Sequence, residues 1–331
     1  MAGRPPGGAR PTQPTHRGTP PEAPHRVRHS AWVRANELVR QWFSPVLVEE
    51  LFRYAREYVE SVGGVFLLFL CLEDARGGCK PIPKPYIHRL HGKYGDRVWA
   101  LLRRWYYPVL RGYRYFLMIT LTIDPKTVVS QYDAYRSVMR AWNILLTRIR
   151  KRYPWVVIIR TVEWQGNGIG IHIHALVAGL NYIPKEWVAE TWRGLSNSGW
   201  SIELTPVRGN ADYALRYLFK YLMKGFGNGV SNLSAVINWA VNAKAFGVSM
   251  PRKLRERLAG ERARAYLEYL EHLDAVCPGG FVYLGKIDSI YVEAGVARDF
   301  DWVRQYFQLD EYGLPRGPPR GRNGTGQGRD D

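Results

Sequence analysis

The chain has 331 residues, 46% of them hydrophobic, which is enough apolar material for a sizeable core in one or two domains. A formal net charge of +18 and an isoelectric point near 9.9 point to a polyanionic partner, with nucleic acid the default. No apolar run approaches the roughly 20 residues of a membrane span, the N-terminus lacks a signal peptide's apolar segment, and three cysteines, an odd number, argue against a disulfide framework. These features read as an intracellular, cytoplasmic, DNA-associated protein with no membrane partner.

Residues 1–28 are rich in Pro, Gly and Arg and are expected to form a disordered basic tail. Residues 313–331, with Arg316, Arg320, Arg322 and Arg329 among Gly and Pro, read the same way. Either tail is a solvated linker or a polycationic arm that adds salt-sensitive, sequence-independent DNA affinity. Residues 29–110 read as a mostly helical N-terminal region. Trp32, Leu38, Val39, Trp42, Phe43, Leu51, Tyr54 and Tyr58 recur at helical spacing, and Pro45 separates two helices. Val65 to Leu72 is a short buried strand, Lys80 to Pro85 a Pro-rich loop, and a further helix runs to about Trp105. Cys71, Cys79, His88 and His91 could hold zinc. The gap between the cysteines exceeds the usual two to four residues, so buried or solvated side chains are the preferred reading.

From about residue 113 the pattern changes. Strands are expected at Tyr113–Ile123, Trp155–Trp164, Ile169–Val177 and Trp200–Val207, and helices at Lys126–Arg152, Pro184–Leu195 and Asn210–Lys224. Asn210 is the expected N-cap of the last helix and Gly225 its terminator. This order predicts an α+β fold with a central antiparallel sheet and helices packed on one face. The core would span residues 111–230, and residues 231–312 would be a mostly helical C-terminal region with one strand near Phe281–Leu284. Arg252, Lys253, Arg255 and Arg257 suggest a basic helical face, for DNA or simply for solvation.

His172-Ile173-His174 lies in an apolar strand, so both imidazoles share one face and can grip one metal ion. Gln165-Gly166-Asn167-Gly168 signals a turn between two strands. In a hairpin turning at Gly166-Asn167, Thr161 opposes His172 and Glu163 opposes Gly170. Glu163, His172 and His174 then share a face; a register shift of two keeps that face and a shift of one destroys it. Alone, H-x-H is more often a structural pair. Gly166-x-Gly168-x-Gly170 opens no helix and is no nucleotide loop, and no G-x-x-x-x-G-K-[ST] occurs.

Tyr213, Tyr217 and Tyr221 line one stripe of the last helix, beside Arg216, Lys220 and Lys224. Read blandly, this is an amphipathic helix with tyrosines at the core edge. Read chemically, a tyrosyl oxygen attacks a phosphodiester, a metal polarises the phosphate, and a lysine adds positive charge there.

Together these segments resemble the HUH endonucleases, in particular the two-tyrosine replication initiators of rolling-circle plasmids and viruses. Phe116–Thr122 is similar to the family's first motif, His172-Ile173-His174 to its second, and Tyr217–Lys224 to its third, Y-x-x-K-Y-x-x-K. The resemblance implies an HUH/RRM-like palm and a divalent cation, Mg²⁺ or Mn²⁺, on His172, His174 and a carboxylate, for which Glu163 is the candidate. It implies that Tyr221 first, then Tyr217, nicks single-stranded DNA at a replication origin, leaving a 5′-phosphotyrosine, with Lys220 and Lys224 assisting. Host replication proteins, including a separate helicase, would be partners. Tyr213 is read as structural, and Thr120 and Thr122 as shaping the sheet or touching DNA. A transposase or relaxase with the same chemistry is the alternative enzyme, and a non-catalytic nucleic-acid-binding protein the alternative from another class.

Overall fold

A computed structural model describes residues 24–41, 44–71, 80–166, 168–196, 199–277, 281–288, 292–293 and 295–307. The expectations placed on residues 1–23 and 313–331, and on Trp42, Phe43 and Cys79, lie outside the described residues. Helix α1 spans Pro24–Leu38, so residues 24–28 of the expected tail are helical. Ser44 caps α2 (Pro45–Val62) by accepting from the Leu47 N–H, and Pro45 occupies the first turn, where a missing N–H costs nothing. After α3 (Tyr94–Trp105) and the short α4 (Tyr107–Leu110) the chain enters its main sheet.

That sheet has five antiparallel strands in the order β6-β3-β5-β4-β7. They are β3 (Phe116–Ile123), β4 (Val157–Trp164), β5 (Ile171–Ala178), β6 (Gly199–Pro206) and β7 (Gly247–Ser249). The three-residue β7 has no counterpart among the expected strands. Three helices interleave with them: α5 (Gln131–Arg152), α6 (Lys185–Ser196) and α7 (Ala211–Phe226), followed by α8 (Leu233–Ala240). Strands β3, β4 and β5 are buried at almost every consecutive position, so both faces of the sheet are covered. Helices therefore pack on two faces, where one was expected. Helix α7 lies over the face carrying His174, while α5 brings Tyr135 towards Arg160 on the other. One hydrophobic cluster runs from Ala35 to Leu258 and joins α1–α3 to the sheet and to α7 and α8.

A second, three-stranded sheet has the order β2-β1-β8, with β1 at Val65–Cys71, β2 at Lys80–Pro85 and β8 at Phe281–Asp288. The flanks are thus not merely helical, and the expected Pro-rich loop is an edge strand. Its prolines recur at every second residue (Pro81, Pro83, Pro85), so their missing N–H groups all fall on one side of the strand, which an edge tolerates. β8 returns from the far end of the chain to pair with β1, and Leu68, Leu70, Ile287, Ala297 and Val303 form a small separate core. Cys71 and Cys277, 206 residues apart, are joined by a disulfide. This overturns the expectation drawn from the odd cysteine count, and it removes Cys71 from any zinc site. Two further elements complete the chain: the long α9 (Arg252–Val276) and the short α10 (Phe300–Tyr306). Among the described residues no helix is long and apolar enough to cross a membrane.

Candidate active site

The β4–β5 hairpin sets the first half of the site. Gln165 and Gly170 pair across its mouth (N to O, 2.8 Å), and Gly168 donates back to the Gln165 carbonyl at 2.8 Å with φ +72°. That positive φ is why glycine stands there. The turn uses residues 166–169 rather than two residues alone, so Glu163 opposes His172 and Thr161 opposes His174. The register differs by two from the expected one, which leaves every side chain on its expected face. Strand β3 adds Thr122 opposite His172 and Thr120 opposite His174.

These rows orient both imidazoles. Thr122 Oγ1 lies 2.8 Å from His172 Nδ1, and Thr120 Oγ1 lies 3.2 Å from His174 Nδ1. The rings stack with centroids 5.9 Å apart. The threonines, read from sequence as sheet-shaping, hold the histidines as well. The signal was available, because T-x-T and H-x-H share period two on adjacent strands. His174 Nε2 hydrogen-bonds Glu163 Oε2 at 2.9 Å, and Lys224 Nζ approaches Glu163 Oε1 at 3.4 Å. Burial pushes the Glu163 carboxyl up, but the His174 hydrogen bond and the charges of His174, Lys224 and His172 outweigh it, so its pKa falls below the ordinary value. Burial first, then His174, lowers the pKa of His172, with Glu163 opposing.

Helix α7 supplies the second half. Asn210 caps it as expected, accepting from the Tyr213 N–H at 2.9 Å. Gly225 does not end it. The helix continues to Phe226, and Gly227 closes it by donating to the Met223 carbonyl at 2.7 Å. Gly225 instead lets α7 approach the sheet, because a Cβ there would overlap the Val162 carbonyl oxygen. Asn238 locks this contact by donating to the Gly225 carbonyl at 2.8 Å. The approach lays the Tyr221 ring flat on His174, with centroids 3.8 Å apart and planes 15° apart. The Tyr221 hydroxyl donates to the Tyr217 hydroxyl at 3.2 Å. Lys220 and Lys224 place their ammonium groups 5.8 Å and 5.5 Å from the Tyr221 ring centroid. Tyr213 is exposed and packs beside Gly209, outside this group. Burial, the Tyr217 hydrogen bond, and the charges of Glu203 and Glu163 all raise the Tyr221 pKa. Sequence reasoning missed Glu203, which opposes Thr120 on β6 and so extends the His174 row.

Whether this group suits a divalent cation can be judged from its donors. Among the described residues, no cluster of three or more His, Cys, Asp and Glu side chains is already arranged as a cage. The chemistry nevertheless fits. Each Nδ1 is held by a threonine, which leaves Nε2 as the ligand atom. Glu163, already bonded to His174 Nε2, is the carboxylate within reach. A cation would replace the proton shared between these two groups.

A family model describing replication-associated proteins of the ORF2 type matches residues 116–226, from the first residue of β3 to the last of α7. A protein of Halorubrum pleomorphic virus 1, named "Uncharacterized protein 1", is 26% identical over 203 residues, 54% of this chain and 40% of its own length. The match thus spans about two fifths of that viral protein. No solved structure matches. The two matches support a role in DNA replication and a viral or plasmid origin.

Proposed function

We propose that the protein nicks and rejoins single-stranded DNA at a replication origin through a covalent tyrosine intermediate, initiating rolling-circle replication. The observation that carries this reading is the Tyr221 ring stacked on His174, with Glu163 and Lys224 beside it. In this reading the Tyr221 oxygen attacks the phosphorus and loses its proton. The bond from phosphorus to the 3′ oxygen breaks, that oxygen takes up a proton, and the 5′ end stays on the tyrosine. A Mg²⁺ or Mn²⁺ ion on His172, His174 and Glu163 would supply Lewis-acid polarisation of the phosphate. Lys224 and Lys220 stabilise charge developing on the phosphate oxygens. Tyr217, one turn away and hydrogen-bonded to Tyr221, is the second nucleophile that would let one cut be resolved by another. The protein by itself raises the Tyr221 pKa, so the cationic partners are what make the phenolate accessible.

The test is incubation of the full chain with a pool of single-stranded DNA and Mn²⁺, followed by mass mapping of tyrosyl–DNA peptides. Tyr221→Phe should lose the adduct at that position by at least about a thousandfold while binding DNA within about twofold, and EDTA should abolish adduct formation. An adduct that survives in the Tyr217→Phe/Tyr221→Phe double variant would sink the nucleophile assignment.

A further inference from the structure

Helix α3 carries two stripes. Gly95, Trp99 and Arg103 face α7: Gly95 meets the Met223 side chain, Trp99 packs on Phe219 with centroids 4.6 Å apart, and Arg103 lies 3.7 Å from Asp212. The second stripe is Tyr94, Arg97, Val98, Leu101, Arg104 and Trp105, spaced by one, three or four residues, and it lines two open cavities. Their volumes are about 680 Å³ and 540 Å³, within the range of ligand sites, and they share Leu101 and Phe246. Aromatic rings and cations alternate along both. Trp32, Tyr58 and Trp239 stand with Arg89, Arg97 and Lys244 in the first, and Trp105, Tyr266 and Tyr269 with Arg104 and Arg262 in the second. The Arg262 guanidinium lies 5.2 Å from the Trp105 ring centroid and 5.3 Å from that of Tyr106. No acidic residue lines either cavity. His88, 5% exposed, lines the first, and its Nδ1 has no hydrogen-bond partner among the described residues. A buried polar atom left unsatisfied calls for a partner from outside the protein.

We propose that this second stripe of α3, with the two cavities it joins, is a track for single-stranded DNA, holding bases between its rings and phosphates on its arginines. Interleaved aromatic and cationic side chains bind single strands without regard to sequence, since every base has a stackable face. One helix would then present the reacting tyrosines' neighbour on one stripe and guide the flanking strand along the other. The track rests on the DNA-processing reading but needs none of its chemistry.

The test is binding of the full chain to a fluorescent thirty-residue oligothymidylate over a range of salt concentrations. Arg97→Glu/Arg104→Glu should weaken binding by about tenfold or more and flatten the slope of log affinity against log salt by about 1.4, at about 0.7 per phosphate released. Tyr266→Leu/Tyr269→Leu, at two exposed rings, should weaken binding and leave the slope unchanged. Lys185→Glu/Arg193→Glu, at exposed cations of α6 that line neither cavity, makes the same change in net charge and should weaken binding less than threefold. Equal losses in the two charge-reversed proteins, or unaltered affinity in an Arg97→Glu/Arg104→Glu protein that unfolds at the wild-type temperature, would overturn the track. Absence of a tyrosyl adduct in wild type overturns the nicking reading alone, because oligothymidylate binding needs no cut.

Discussion

The two sheets hold their strands in register by different means. In the five-stranded sheet, β3, β4 and β5 are buried on both faces, and the cluster around them takes in helices from α1 to α9. Packing fixes each strand from above and below. The three-stranded sheet has a core of a few side chains, a proline-bearing edge, and a third strand recruited from the far end of the chain. Loop-closure entropy opposes that pairing, and a disulfide beside it offsets the cost. The candidate site sits on the sheet whose geometry packing determines. Stacking a tyrosine on a histidine at 3.8 Å requires a support that does not shift.

This contrast can be broken on either side. The largest loss is expected from Gly225→Val, which forces α7 off β4: unfolding in urea should show a destabilisation of about 3 kcal/mol or more, as overpacking at an unyielding backbone contact does. Removing the tie with Cys71→Ala/Cys277→Ala should cost about 2–4 kcal/mol. Hydrogen exchange should then show β1 and β8 opening while β3, β4 and β5 keep their protection; equal loss in both sheets would mean the two do not differ in this way. His88 lies in the segment joining β2 to α3, and burial followed by its neighbour His91 depresses its pKa to about 4. Above pH 6.5 it is neutral folded and unfolded alike. Between pH 6.5 and 4 only the unfolded chain takes up the proton, so stability falls as pH falls, by at most about 3 kcal/mol. His88→Phe should remove that slope from the pH profile of thermal unfolding. The smallest effect is that of Asn210→Ala, which deletes the α7 cap and should cost about 1 kcal/mol without altering β1–β8 protection.

Local pattern made much of this region legible. Alternating and β-branched residues marked β3 to β6, and a four-residue recurrence marked α7, because these signals act over a few residues. The shared face of Glu163, His172 and His174 was readable because parity survives a register shift of two. The shift itself was not readable, since it depends on how the Gln165–Gly170 turn closes. Gly225 looked like a helix end because its reason lies in another element, the Val162 carbonyl. The same holds for β2, whose prolines argue against a strand until an edge position is known, and for Cys71–Cys277, since connectivity does not follow from a cysteine count.

That disulfide has a topological consequence. The segment from Cys71 to Cys277 is a closed covalent ring, and Thr120, Glu163, His172, His174, Tyr217 and Tyr221 all lie on it. One protease cut anywhere on the ring linearises it without separating the pieces. Whatever is joined to Tyr221 therefore stays tethered to both ends of a once-cleaved protein until a reductant cuts the second link.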